Sequence, residues 1–528
     1  MCSICGYFSH NKIPTSTVID MLSRMEHRGP DACGLYADGE ILKKNSVGQL
    51  TNNKRAHICI GHSRLSIMGK DDSIQPFTSC DGTLSLVYNG EIYNQNELQE
   101  LLGSHHDIKD RNNDSEILLH LIEEVYDGDL LKTVQSTVKM LNGMYVLAVT
   151  DGKKIIIARD PIGIKPVYYS IKDEVVYFSS EKKAIWEFGT PKRILPGRIL
   201  ELNENGAQIH TGVMVERPQI DINDFNHAVY LYENALVNSV NTRVRGLTQA
   251  KLGMIFSGGV DSVLIAKILT ELGCDLTCYC VGMKGSQDVE NAQKVAKDLQ
   301  FDHKTIIIDR ETIGSILPDI IECIEINGLL QVKVAVPMYL SAKAASEDGI
   351  KVMFTGQAAD ELFAGYTWYR TVVENDGFLT LHEKLWEDID LLYDDTLERE
   401  DKVTMAHSVE MRVPYLDREV VKIAMRMFPT LKIKSSDDTM RKWVHRKVAE
   451  KHQIPSYIAY RNKDSAQSGS GIHDLIREVA QNYFEDKKVK YVEIEDKGSI
   501  YRYLDEEYGT PEMWAYMNEI SQGLNLSC

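Results

Sequence analysis

Cys2, the stretch Ser257–Ser262 and the stretch Thr355–Glu361 hold the residue types best suited to chemistry. The chain opens "MCSICG", so removal of Met1 leaves Cys2 as first residue, its own α-amine beside its thiol. An α-amine near ~8 and a thiol near ~8.5 can share a proton without a separate histidine. A thiolate made in this way is a nucleophile. The same spacing also fits chance, or a Cys-x-x-Cys metal or redox pair with Cys5. Zinc calls for a second compact ligand pair. The other cluster, "CDLTCYC" (Cys274, Cys278, Cys280), falls in Leu276–Met283. That segment reads as a buried strand, where small thiols are common.

In "MIFSGGVDSVLIAKIL" an apolar strand runs into Ser257, Gly258, Gly259, Val260, Asp261 and Ser262, and a helix follows. Paired glycines allow a tight turn around an anion, with amides and a helix N-terminus facing it. Ser257 and Ser262 add hydroxyl donors, and Asp261 can hold Mg²⁺ against phosphate oxygens. The lysine of the γ-phosphate-transferring loop is missing. A second anion turn belongs at another strand end, because ligands of open α/β sheets bind beyond the carboxyl ends of strands. "KVMFTGQAADELFAGY" fits, with Lys351–Thr355 extended, a turn over Gly356–Glu361, and Asp360 and Glu361 adjacent. Alone, such an Asp-Glu pair is more often a solvated helix start. The upstream loop makes Asp360 a second candidate for Mg²⁺.

Two styles of element must position these residues. Up to about residue 210 short apolar runs alternate with turn signals, as in "TLSLVYNGEIYN" and "MYVLAVTDGKKIIIARD". Such runs read as an antiparallel β-rich domain with a few helices, and Met144–Asp160 as a hairpin turning at Asp151-Gly152. After residue 225 strands and helices alternate. Lys251–Phe256, Leu276–Met283 and Thr305–Asp309 read as strands, and Val263–Leu272, Val289–Leu299 and Val336–Ala345 as helices. That order predicts a parallel, doubly wound sheet. The chain from about 380 is helical by pattern. The polar "ERPQIDINDF" marks a boundary near 212–226, giving domains over 1–215 and 226–528.

A length of 528 residues supports two or three cores, and a formal charge of −18 argues against a nucleic-acid surface. No apolar stretch reaches the ~18–20 residues that span a bilayer. Ten scattered cysteines suit a reducing compartment. A cytoplasmic enzyme is expected.

"HRGPDACGLY" (27–36), "GHSRLSI" (61–67), "NGEIYN" (89–94), "NDSEILL" (113–119) and "ARDPIGIKPVYY" (158–169) follow Cys2 in order. Together they resemble a class II, N-terminal-nucleophile (Ntn) glutamine amidotransferase. The "SGGVDS" loop resembles that of ATP pyrophosphatases. With "GQAADELFAGY" and "MAHSVEMRVPYLD" (405–417) after it, the whole chain resembles the glutamine-hydrolysing asparagine synthetase family. The resemblance implies an Ntn-type antiparallel β sandwich flanked by helices, then an α/β pyrophosphatase domain with a helical C-terminal part.

It also implies roles. Cys2 attacks the side-chain amide of glutamine, an acyl-thioester forms, and ammonia leaves through an internal tunnel. Asn89 and Gly90 supply the oxyanion donors. Arg64 grips the glutamine α-carboxylate, and Asp114 meets its α-ammonium with Glu91 nearby. Ile255, Ser257, Gly258, Gly259, Asp261, Ser262, Val281, Thr355 and Gly356 surround ATP and its pyrophosphate. Lys463 offsets phosphate charge. A carboxylate, aspartate in this family, becomes an acyl-adenylate and then an amide, with release of AMP and PPi. ATP and Mg²⁺ are the implied cofactors, and such enzymes are often homodimers.

Four residues depart from the family pattern. Ser3 stands where Gly is usual. Gln357 replaces a Glu thought to handle incoming ammonia, and Gln is no base at neutral pH. "LQVKVAVPMYL" puts Leu330 where a hydroxyl is expected and Lys333 where an Arg is expected. Lys keeps the charge without the bidentate fork. Gln357 and Lys333 sit at the acceptor, so a different carboxylate acceptor is the alternative to aspartate. A silent sensor of glutamine or nucleotide is the remaining one.

Overall fold

In the strand Ser3–Pro14 (β1), Ile4 and Phe8 face one way while Cys5 and Tyr7 face the other, and all four are buried. A pleat with two apolar faces must be covered on both sides. The computed structural model, which describes residues 2–51, 53–70, 73–247, 250–461, 470–487 and 510–524, supplies both covers. It divides the chain into two units. The first comprises Met1–Arg217 and Asp390–Asp401, and the second Pro218–Ile389 and Lys402–Cys528.

Twelve further strands build the first unit. They are β2 (Ala32–Ala37), β3 (Glu40–Lys44), β4 (Arg55–Arg64), β5 (Phe77–Thr78), β6 (Ser85–Ile92) and β7 (Gly143–Thr150). The others are β8 (Ile155–Arg159), β9 (Tyr168–Lys172), β10 (Val175–Ser179), β11 (Lys192–Arg193), β12 (Arg198–Asn203) and β13 (Gly206–Thr211). One antiparallel sheet runs β11-β9-β10-β1-β4-β2-β3 and the other β13-β12-β8-β7-β6-β5. Ile4, Phe8, Ile58 and Ile60 of the first sheet pack with Val87, Val146, Ile157 and Leu200 of the second. Outside the first sheet, Cys5, Tyr7 and Cys59 pack under Val18, Met21 and Leu22 of the helix Ser16–Arg24. Outside the second, Leu86, Tyr88 and Leu147 pack under the helices Asp114–Val125 and Leu130–Met140. The result is the helix-flanked Ntn-type sandwich. The expected hairpin is β7–β8, with Thr150 opposite Ile155 and Asp151 Oδ1 accepting from the Lys153 and Lys154 amides.

Five parallel strands form the sheet of the second unit: β14 (Lys251–Ile255), β15 (Asp275–Met283), β16 (Asp302–Ile308), β17 (Val352–Phe354) and β18 (Glu410–Arg412), in the order β16-β15-β14-β17-β18. The order reverses between β14 and β17, which makes a switch point there. β18 has no counterpart in the sequence reading. Its outer residues are charged and it is only three residues long, so no apolar run announces it. Glu410 and Arg412 are nonetheless buried and pair with each other at 2.7 Å.

Candidate functional site

The first unit brings Cys2 to the gap between its sheets. β1 pairs with β4 so that Ser3 lies opposite Ser63, which sets Cys2 beside Arg64. From the other sheet β6 offers Asn89, and the Cys2 amide donates to Asn89 Oδ1 at 3.0 Å. Asn89 is fully buried, and among the described residues its Nδ2 has no hydrogen-bond partner. A buried, unpaired amide donor is costly unless a ligand uses it. Gly90 and Glu91 follow on β6. The Ile92 amide that ends β6 donates to Asp114 Oδ2 at 2.9 Å. Asp114 opens its helix because Asn113 caps it, accepting from the Ser115 amide at 3.0 Å. Burial pushes the Asp114 carboxyl above its ordinary range, against the pull of the Ile92 amide. Arg64 Nη2 donates to the carbonyls of Met68 and Lys70, at 3.2 and 2.7 Å. Cys5 lies in the outer core, its thiol pushed up by burial, and forms no pair with Cys2.

Arg28 was not singled out by the sequence reading. Its guanidinium is fully buried and donates to the Cys2 carbonyl at 3.2 Å, to Glu181 at 2.8 Å and to Asp401 at 2.7 Å. Burial opposes the charge, but the two carboxylates hold the guanidinium pKa above its ordinary value. The motif "HRGPDACGLY" contained the signal. Its partner Asp401 lies 373 residues away and could not be inferred.

In the second unit a cavity of about 260 Å³ opens at the carboxyl ends of β14 and β17, at the switch point. Ser257, Gly259, Asp261 and Ser262 line it from the first turn, and Thr355, Gly356, Gln357 and Asp360 from the second, with Ile255 and Val281 between them. Gly258 adopts φ +68°, the left-handed conformation that closes the first turn. The two turns touch, since a Cβ on Gly356 would lie 2.9 Å from the Ser262 amide nitrogen. Lys333 is not among the lining residues, and its Nζ lies 3.2 Å from His473 Nδ1. Lys463 lies outside the described residues. Leu330 is exposed.

Lys442 is the main addition to the expected set. Its Nζ lies 2.8 Å from both carboxylate oxygens of Asp261 and 2.8 Å from Asp360 Oδ1. The two carboxylates therefore converge on one cation, and these hard oxygen donors suit Mg²⁺. His445 Nε2 lies 3.1 Å from Asp261, and burial pushes its pKa down. Val334, Pro337, Met338 and Ser341 supply one wall from the helix Leu329–Glu347, at the spacing of a single helix face.

A cysteine-led Ntn-type sandwich followed by an α/β unit with a cavity between two glycine turns defines a class, the amidotransferase-coupled ligases. Residues 1–203 match the family described as glutamine amidotransferase domain, and residues 231–381 and 374–525 match asparagine synthase. A chain of Methanocaldococcus jannaschii, provisionally named a glutamine-hydrolysing asparagine synthetase, is 34% identical over 541 residues, covering 92% of this chain and 97% of its own. A glutamine-hydrolysing asparagine synthetase of Arabidopsis thaliana is 28% identical, covering 89% of this chain and 78% of its own. One of Oryza sativa subsp. japonica is 30% identical, covering 86% and 74%. The chain belongs to the asparagine synthase family and is an ATP-using, glutamine-dependent ligase. Among the described residues no helix is long and apolar enough to cross a membrane.

Proposed function

We propose that the protein converts aspartate to asparagine in the cytoplasm, as a homodimer, with ammonia drawn from glutamine and with AMP and PPi as nucleotide products. The observation that carries this reading is the cavity at the switch point, which gathers both glycine turns and two carboxylates around one buried cation.

In the first unit, loss of Met1 converts the Cys2 amide nitrogen into an amine held at Asn89 Oδ1. That amine takes the thiol proton, and the sulfur attacks the glutamine amide carbon. Asn89 Nδ2, with the Gly90 amide, donates to the oxyanion as charge builds. Collapse, with the proton on the Cys2 amine passed to the departing nitrogen, releases ammonia and leaves a Cys2 thioester, which water cleaves to glutamate. Arg28 fixes the carbonyl of Cys2 and so the direction of its side chain. Arg64, Glu91 and Asp114 orient the α-carboxylate and α-ammonium of glutamine.

In the second unit, the amides and hydroxyls of Ser257–Ser262 hold the two terminal phosphates of ATP. The acceptor carboxylate attacks the α-phosphorus, the bond to the β-phosphate breaks, and ammonia then displaces AMP from the acyl carbon. Asp261 and Asp360 would hold Mg²⁺, which when bound offsets negative charge on the phosphates. Lys463 adds positive charge as pyrophosphate leaves.

Incubation with glutamine, Mg-ATP and aspartate should give asparagine, glutamate, AMP and PPi in equal amounts. ADP and orthophosphate as products would refute the loop assignment. Cys2→Ala should end glutamine use and spare synthesis from ammonia. Gln357 in the cavity and Lys333 off its lining favour a second reading, the same chemistry on another carboxylate. A carboxylate panel read by PPi release separates the two, and release with aspartate alone eliminates the second.

A further inference from the structure

Far along the same helix that begins at Asp114, the first unit gathers a thiol, two imidazoles and a carboxylate. Donor atoms of Cys80, His106, His120 and Glu123 all lie within 4.8 Å of one another. Cys80 Sγ is 4.0 Å from His106 Nδ1 and 3.9 Å from His120 Nδ1. Glu123 Oε2 is 3.1 Å from His106 Nδ1 and 2.9 Å from His120 Nδ1. We propose that these four side chains form a tetrahedral site for a divalent transition metal, zinc foremost.

Three features support the site. The first is ligand type. Thiolate and imidazole select borderline-soft ions over Mg²⁺ or Ca²⁺. Neighbouring donors around tetrahedral zinc lie about 3.3–3.6 Å apart by the usual bond lengths, and each of the four separations above lies within about 0.4 Å of that range. The second is preparation of the donors. Glu124 Oε2 lies 2.7 Å from His106 Nε2. A carboxylate there holds the proton on Nε2 and turns the Nδ1 lone pair inward, as metal-bound histidines require. That lone pair faces Glu123 Oε2, an opposition that a cation between them removes. The third is rigidity. The imidazole of His106 is fully buried and that of His120 nearly so. The Cys80 amide donates to Glu123 Oε1 at 2.8 Å, which fixes the other end of the ligand carboxylate. Cys80 itself is exposed and gives the ion a way in.

The ion would pin the β5–β6 turn to the helix Asp114–Val125. Strand β6, which follows that turn, carries Asn89 and Gly90, and the helix begins with Asp114, so the proposed site is a staple behind the glutamine pocket. The metal site itself does not depend on the reading of the reaction.

The test uses the full-length chain, stripped by chelator and then dialysed against Zn²⁺ or Co²⁺. Elemental analysis should find roughly one zinc per chain, and the cobalt form should show thiolate-to-cobalt absorption in the near ultraviolet and the strong visible bands of tetrahedral Co²⁺. Cys80→Ser should remove the thiolate band, while Cys274→Ser keeps it. His106→Ala should lose the metal, and Glu124→Gln should weaken zinc about 10–100-fold. Circular dichroism checks that each variant is folded. Zinc below about a tenth of an equivalent after reconstitution, or full zinc retention in both Cys80→Ser and His106→Ala, would overturn the site.

Discussion

At Asn89 two atoms of one amide face two tasks, one oxygen on the Cys2 nitrogen and one nitrogen without a partner among the described residues. Asn89→Ala should therefore lower kcat for glutamine hydrolysis by about 10²–10³-fold, with synthesis from ammonia unchanged. An equal loss in both assays would show that the residue only supports the fold. Lys442 poses the opposite case, a cation already placed between Asp261 and Asp360. Lys442→Met leaves two carboxylates facing each other and should cost about 3–5 kcal/mol. Added Mg²⁺ should restore part of that loss, measured by chemical denaturation with and without the ion. No recovery with Mg²⁺ would mean that the carboxylates do not share a metal position. The sequence marked both acids, because they lie in glycine-rich turns at strand ends. It gave no sign of Lys442, which stands among other basic residues in "MRKWVHRK" and takes its meaning only from the acids it reaches.

Elements were legible wherever an apolar period was long enough. The strands β14, β15 and β16 and the helices Val260–Glu271, Gln287–Leu299 and Leu329–Glu347 correspond to runs visible in the sequence. β18 was hidden because buried charge replaces apolar residues there. Of helix Leu329–Glu347 only Val336–Ala345 was read, and its face was not, since a mostly buried helix has no polar side to orient it. Val334→Trp would push an indole into the cavity and should reduce ATP-dependent PPi release more than tenfold, leaving glutamine hydrolysis intact. Unchanged PPi release would remove this helix from the site wall. Within β4, His62 is fully buried and its pKa is pushed down to about 3 by burial and then by Arg64. Folded His62 is therefore neutral at pH 7. Between pH 6.5 and about 3 the unfolded chain binds the extra proton, so stability falls as pH falls through that window. The full effect is on the order of 5 kcal/mol. His62→Gln should flatten the acid limb of an unfolding curve. An identical limb in the variant would assign the acid sensitivity elsewhere.

The first unit is not one continuous piece of chain. Asp390–Asp401 returns to it, and this segment supplies Asp401 to Arg28 and Glu398 to Arg159 and Tyr168. Periodicity cannot reveal such a return, because the helical pattern continues across it. A fragment 1–217 should accordingly be less stable than the same fragment with residues 386–401 attached through a flexible linker, by about 3–5 kcal/mol. Equal melting of the two would make the segment ornamental. Carrying these acids so late in the chain also sets an order of events on the ribosome. Residues 218–401 take roughly 10–40 s to translate, and until they emerge Arg28 lacks the acid that helps hold it against Cys2. A nascent chain that stalls before that point leaves the buried Arg28 guanidinium with Glu181 but without Asp401.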